Sequence, residues 1–74
     1  MPSSFIDAIA YNRPTERLRV RLLTRTGHRE IYEYHHVPED VADEFGEAFR
    51  SPDLSAGRFF NENVRDHFIH RYVR

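Results

Sequence analysis

The sequence predicts an α+β fold, a three-stranded antiparallel meander followed by two short helices packed on one face. Three observations carry this. Leu18, Val20 and Leu22 alternate with Arg17, Arg19 and Arg21, the period-2 pattern of a strand with one buried face. Val41, Phe45, Ala48 and Phe49 recur at i, i+4, i+7 and i+8, the spacing of one helical face. Phe60, Val64 and Phe68 repeat at i, i+4 and i+8, consistent with a second helix.

Taken in order, Phe5 to Tyr11 reads as the first strand, ended by the turn residues Asn12-Arg13-Pro14-Thr15. The basic strand follows. Arg25, Thr26 and Gly27 form a three-residue hairpin loop, whose last position favours positive φ and therefore glycine. His28 begins the third strand. With Thr24 opposite His28, Val20 faces Tyr32 and Leu18 faces Tyr34 on the buried side. Arg21 faces Ile31, Arg19 faces Glu33 and Arg17 faces His35 on the other. Val37-Pro38 ends this strand and starts the first helix, because a residue before proline is held extended and proline suits the first helical turn. Glu39 and Asp40 then favour the positive end of the helix dipole. Gly46, four residues after Ala42, suggests a small strip that lets the helix approach the sheet. Ser51-Pro52-Asp53 stops the helix, Leu54 to Gly57 connect, and the second helix is capped near Asn61. The tail from Ile69 to Arg74 reads as extended or irregular.

Composition bounds the function. Residues 1–74 fit one domain, whose single core leaves little room for an enclosed active-site cavity and argues against an enzyme. Six Phe and four Tyr supply large buried area despite an apolar content of 39%. The chain has no cysteine, which removes disulfides, thiolate nucleophiles and Cys-containing zinc sites and fits a reducing, cytoplasmic address. Neither a membrane-length apolar run nor a signal-peptide pattern is present. A net charge of −1 conceals segregation: residues 11 to 37 carry six Arg against three acids, and residues 39 to 62 carry seven acids against two Arg. All eleven basic residues are Arg, whose planar fork suits phosphate; a GC-rich genome would give the same bias.

Read together, several marks give the chain a family likeness. They are the Ile6 to Tyr11 strand, Leu18-Arg19-Val20 with Gly27 after it, Tyr32-Glu33-Tyr34, Val37-Pro38, and Ser55-Ala56-Gly57-Arg58-Phe59-Phe60-Asn61 followed by Val64-Arg65. In this order and spacing the sequence resembles a KTSC domain, a module named for the C-terminal ends of some lysyl-tRNA synthetases and also found as a stand-alone bacterial or phage-type protein. The stretch from Arg50 to Leu54 lengthens the connection relative to that pattern. The resemblance implies an α+β domain for which nucleic-acid binding, above all to RNA, has been suggested.

The candidate residues follow from this charge map. Arg17, Arg19 and Arg21 repeat about every 6.7 Å along a strand, close to the phosphate repeat of a single nucleic-acid strand; the competing reading is a solvated face. Arg58 and Arg65 flank the Gly57-to-Asn61 turn, where backbone N–H groups at a helix start would join them around a phosphate. Tyr32 and Tyr34 share one face, which permits base stacking, although burial against Val20 and Leu18 is the favoured reading. His35-His36 and His67-x-x-His70 invite a metal, but adjacent strand residues point to opposite faces, so no metal site is expected. A triad of Ser55, His67 and Asp66 lacks any nucleophile-elbow context. The expectation is a non-enzymatic cytoplasmic module with no cofactor that binds RNA or DNA backbone through its Arg-rich sheet face. The alternative is a protein-interaction module or small homodimer that uses an exposed sheet edge.

Overall fold

A computed structural model describes residues 5–24, 26–51 and 56–73. The elements are β1 (Phe5–Asn12), β2 (Arg17–Leu23), β3 (Arg29–Tyr34), α1 (Glu39–Arg50), α2 (Ala56–Asn63) and β4 (His70–Tyr72). The strands form one antiparallel sheet in the order β1-β2-β3-β4. The fold is thus α+β, with the helices laid against the face that carries Leu18, Val20 and Tyr34.

The predicted register between β2 and β3 is the observed one: Leu18 opposes Tyr34, Arg19 opposes Glu33, Val20 opposes Tyr32 and Arg21 opposes Ile31. The Thr24 N–H donates to the His28 carbonyl at 2.8 Å and closes the hairpin, with Gly27 at φ 89°. That backbone region explains the glycine. β3 begins at Arg29, one residue later than expected, and Arg25 lies outside the described residues.

The sheet has a fourth strand where the sequence reading expected only three. Residues 70 to 72 pair with β3, setting Tyr72 opposite Tyr32, Arg71 opposite Glu33 and His70 opposite Tyr34. Side chains of both faces support the pairing. The rings of Tyr72 and Tyr32 lie 5.2 Å apart and those of His70 and Tyr34 4.7 Å apart on one side, while Arg71 reaches Glu33 on the other. Backbone bonds from His35 N–H to Ile69 and from Val73 N–H to Ile31 extend the ladder at both ends.

Leu18, Val20, Tyr34, Val37, Ala42, Phe45, Phe60 and Val64 form the core. Phe45 is fully buried, with the rings of Phe59 and Phe60 stacked at 5.7 and 6.0 Å. Of the apolar stripe predicted for α1, Phe45 and Ala48 are buried, Val41 is partly buried and Phe49 is exposed. The helix is turned so that Ala42 and Gly46 share the inner face with Phe45. The small strip read from Ala42 and Gly46 thus lies on the inward side, as the sequence suggested. Gly46 does not mark close contact with the sheet: the three nearest atoms a side chain there would meet all belong to Arg50, the closest at 3.2 Å. The glycine accommodates the guanidinium of its own helix.

The second helix is displaced from its expected position. α2 starts at Ala56, so Gly57 and Asn61 are helical residues; Asn61 is not the cap, and the turn expected between them is absent. Its apolar face holds Phe60 with Val64 just beyond its end, and Phe68 lies past a following turn, half-buried against the core. Residues 52–55, within the connection to which the sequence reading assigned the helix stop and linker, lie outside the described residues.

Candidate nucleic-acid interface

The sheet face opposite the helices is built by alternation. Because Leu18, Val20 and Leu22 point inward, Arg17, Arg19 and Arg21 point outward. Across β1 their partners are Asn12, Ala10 and Ala8. The two alanines leave a shallow relief beside the longer arginines, and an open depression is bordered by Ala10, Asn12, Arg17, Arg19 and Glu33. In β3 the outward residues include Arg29, Ile31 and Glu33, and β4 contributes Arg71. Among the described residues, five guanidinium groups therefore share this face with two carboxylates, those of Asp7 and Glu33.

Asp7 reaches the basic face through a bulge. The register between β1 and β2 shifts between Ile6 and Ala8, leaving Asp7 without a direct partner across the ladder. Its Oδ2 accepts from Arg21 Nε at 2.7 Å and Arg29 Nε at 3.4 Å. The signal lies in the sequence: Ile6, Ile9 and Tyr11 face inward, and the first interval is three residues where an unbroken strand requires two.

Glu33 is the unusual member. Its side chain is only 3% exposed although it belongs to the outward face. Oε2 accepts from Arg19 Nε at 3.0 Å, and Oε1 accepts from His35 Nε2 at 2.9 Å and Arg71 Nε at 3.3 Å. A carboxylate offers no proton, so the His35 Nε2 atom carries it. The hydrogen bond from His35, followed by that from Arg19, holds the Glu33 carboxyl at about 2, with Arg71 adding to the effect and burial opposing it. The sequence pairing identified Arg19 as a partner; Arg71 was missed because the tail had not been placed as a strand, and His35, two residues after Glu33 and set on the same side, was not read as its partner.

The remaining candidates lie elsewhere. Arg58 sits in α2 and pairs with Glu62 at 3.0 Å, and Arg65 follows α2 and donates to Asn61 Oδ1 at 3.4 Å. Both are on the helix side of the sheet, since α2 packs Phe60 against Tyr34 there. They do not join the Arg row. Tyr34 is buried edge-on against Phe60, with burial pushing its hydroxyl to about 12, and so offers no stacking surface. Tyr32 is half-buried between His70 and Tyr72, and burial raises its hydroxyl pKa as well.

The acidic helix stands apart from this face. Arg13, in the turn between β1 and β2, ties Glu39 and Asp43 of α1 to the sheet. His36, with φ 59°, turns the chain out of β3, and Tyr11 on the inner face donates its hydroxyl to the Val37 carbonyl at 2.6 Å. His67 and Asp66 are exposed in the turn after α2, while Ser55 is outside the described residues. Among the described residues no three His, Asp or Glu side chains are grouped for a metal ion, and no helix is long and apolar enough to cross a membrane.

Neither a search of the curated proteins nor one of the solved structures returns a match. The family model of the KTSC domain matches residues 2–68, a span that holds β1 to α2 and stops short of β4. With nearly the whole chain covered and its central Tyr32-Glu33-Tyr34 placed on the middle of the sheet, the protein belongs to the KTSC domain family.

Proposed function

We propose that this chain is a non-enzymatic module that binds the sugar-phosphate backbone of RNA or DNA through the open sheet face. The observation that carries the reading is the display of Arg17, Arg19, Arg21, Arg29 and Arg71 on one surface, against Asp7 and Glu33 alone among the described residues. Guanidinium groups donate to phosphate oxygens in a planar fork, and a row on a strand repeats near the spacing of successive phosphates. The exposed acids of α1 lie on the helix side, where they repel phosphate and leave the sheet face as the approach of lowest charge conflict. Backbone contacts position a strand without reading its bases, so binding is modest and weakly dependent on sequence.

The test is substitution of Arg17, Arg19 and Arg21 together with Gln. The variant should bind more weakly to every single-stranded oligonucleotide, and its log–log salt dependence should flatten by about 2. Replacing Asp43, Glu44 and Glu47 with Gln should leave affinity equal or slightly stronger. Unchanged binding by the triple Arg variant would refute the assignment of the face.

A second reading is a protein-interaction module or homodimer formed at the sheet edge. It is favoured by β4, an edge strand whose Tyr72, with the neighbouring Ile69 and Val73, leaves apolar surface exposed. Such association should grow with protein concentration and survive added salt, whereas phosphate binding should fall steeply.

A further inference from the structure

We infer that Glu33 is a positioning residue that holds Arg19 and Arg71 as a two-guanidinium clamp for one phosphate group of a nucleic-acid backbone. The inference rests on the reading of the sheet face given above and adds a specific site to it. Arg19, Glu33 and Arg71 are directly opposed on β2, β3 and β4. The two arginines thus stand one strand to either side of the carboxylate and reach inward to its separate oxygens, at 3.0 and 3.3 Å.

Both arginines bind Glu33 through Nε. A guanidinium has five N–H donors and spends one of them in this way, so the terminal NH₂ groups of each are left to donate to a further acceptor. Their side chains are 54% and 64% exposed, whereas Glu33 beneath them is 3% exposed. A phosphate arriving from solvent therefore meets the forks before the acid. Two guanidinium groups and one carboxylate leave a single positive charge when His35 is neutral, which matches one phosphodiester. Fixing two long side chains in advance also lowers the ordering cost of binding. Arg71 lies beyond the segment matched by the family model, so this chain completes the clamp with its own last strand.

A purely electrostatic face and a clamp make opposite predictions for Glu33→Gln. Removing a negative charge from a basic surface should tighten phosphate binding. Releasing two arginines from their anchor should loosen it. Affinity for a fluorescein-labelled 12-nucleotide oligouridine at low salt distinguishes the two, with folding checked by circular dichroism. Glu33→Gln should bind about tenfold more weakly, the equivalent of one charged hydrogen bond. Arg71→Lys keeps the charge and sits on an exposed edge strand, so it serves if the buried substitution disturbs the fold. Lacking the Nε donor and the fork, it should also bind about tenfold more weakly.

Equal or tighter binding by folded Glu33→Gln, or wild-type affinity in Arg71→Lys, would overturn the clamp. In that event a normal loss on substituting Arg17, Arg19 and Arg21 would still uphold the broader reading. No binding by the wild-type protein would overturn both.

Discussion

Truncating Phe45 tests how α1 is seated. The ring is fully buried, packed with Phe59 at 5.7 Å and Phe60 at 6.0 Å, and surrounded by the strand residues of the core. Phe45→Ala removes six ring carbons from a site where neighbours on both sides are themselves fixed, so collapse into the space is limited. Such truncations cost about 3 to 5 kcal/mol, against a total of about 4 to 11 kcal/mol for a chain of this length. The melting temperature should fall by about 15 °C or more. Phe49, one turn later, provides the control: it is 37% exposed, and Phe49→Ala should cost about 1 kcal/mol. Urea denaturation followed by circular dichroism measures both. A Phe45→Ala variant that unfolds like the wild type, or equal losses at the two positions, would refute this seating of the helix.

Four further predictions concern single contacts and pH. Tyr11→Phe removes the 2.6 Å bond to the Val37 carbonyl and should destabilise by about 1 kcal/mol in the same urea assay. Gly27→Ala places a side chain at φ 89° with nothing within 4 Å to clash, so its loss of about 1 to 2 kcal/mol should come from backbone strain alone. At low pH, Glu33 should contribute stability that is full above its ordinary value of 4.5 and is lost as pH falls through about 2. Glu33→Gln should therefore flatten the acid limb of a melting-temperature profile over that window. At high pH the sign reverses: Tyr34 is held neutral up to about 12 against an ordinary value of 10.0, so stability should fall between these values and ultraviolet titration should show a late phenol.

The meander was legible because β2 alternates without interruption, and one assumed pair, Thr24 with His28, carries the register as far as Leu18 and Tyr34. β4 escaped notice because three residues are too few for periodicity to speak. Its evidence is relational: Tyr72, Arg71 and His70 make sense only against Tyr32, Glu33 and Tyr34. The same gap hid Arg71 from the Glu33 environment. For α1, the small strip of Ala42 and Gly46 was legible as an inward side, whereas Phe49, counted with the apolar stripe for its bulk, is exposed. In α2 the Phe60, Val64 and Phe68 spacing marked an apolar series, but the helix ends before its last two members and begins well before Asn61. The Arg row was legible from alternation; the separation of Arg58 and Arg65 from it depends on which side of the sheet α2 covers, which no local pattern records.

The central claim, that the Arg-bearing sheet face binds nucleic-acid backbone, is tested most directly by the salt dependence of wild-type binding to a single-stranded oligonucleotide. Contact with about 3 to 4 phosphates predicts a log–log slope of about −2 to −3. A slope near zero, or no binding at low salt, would contradict it.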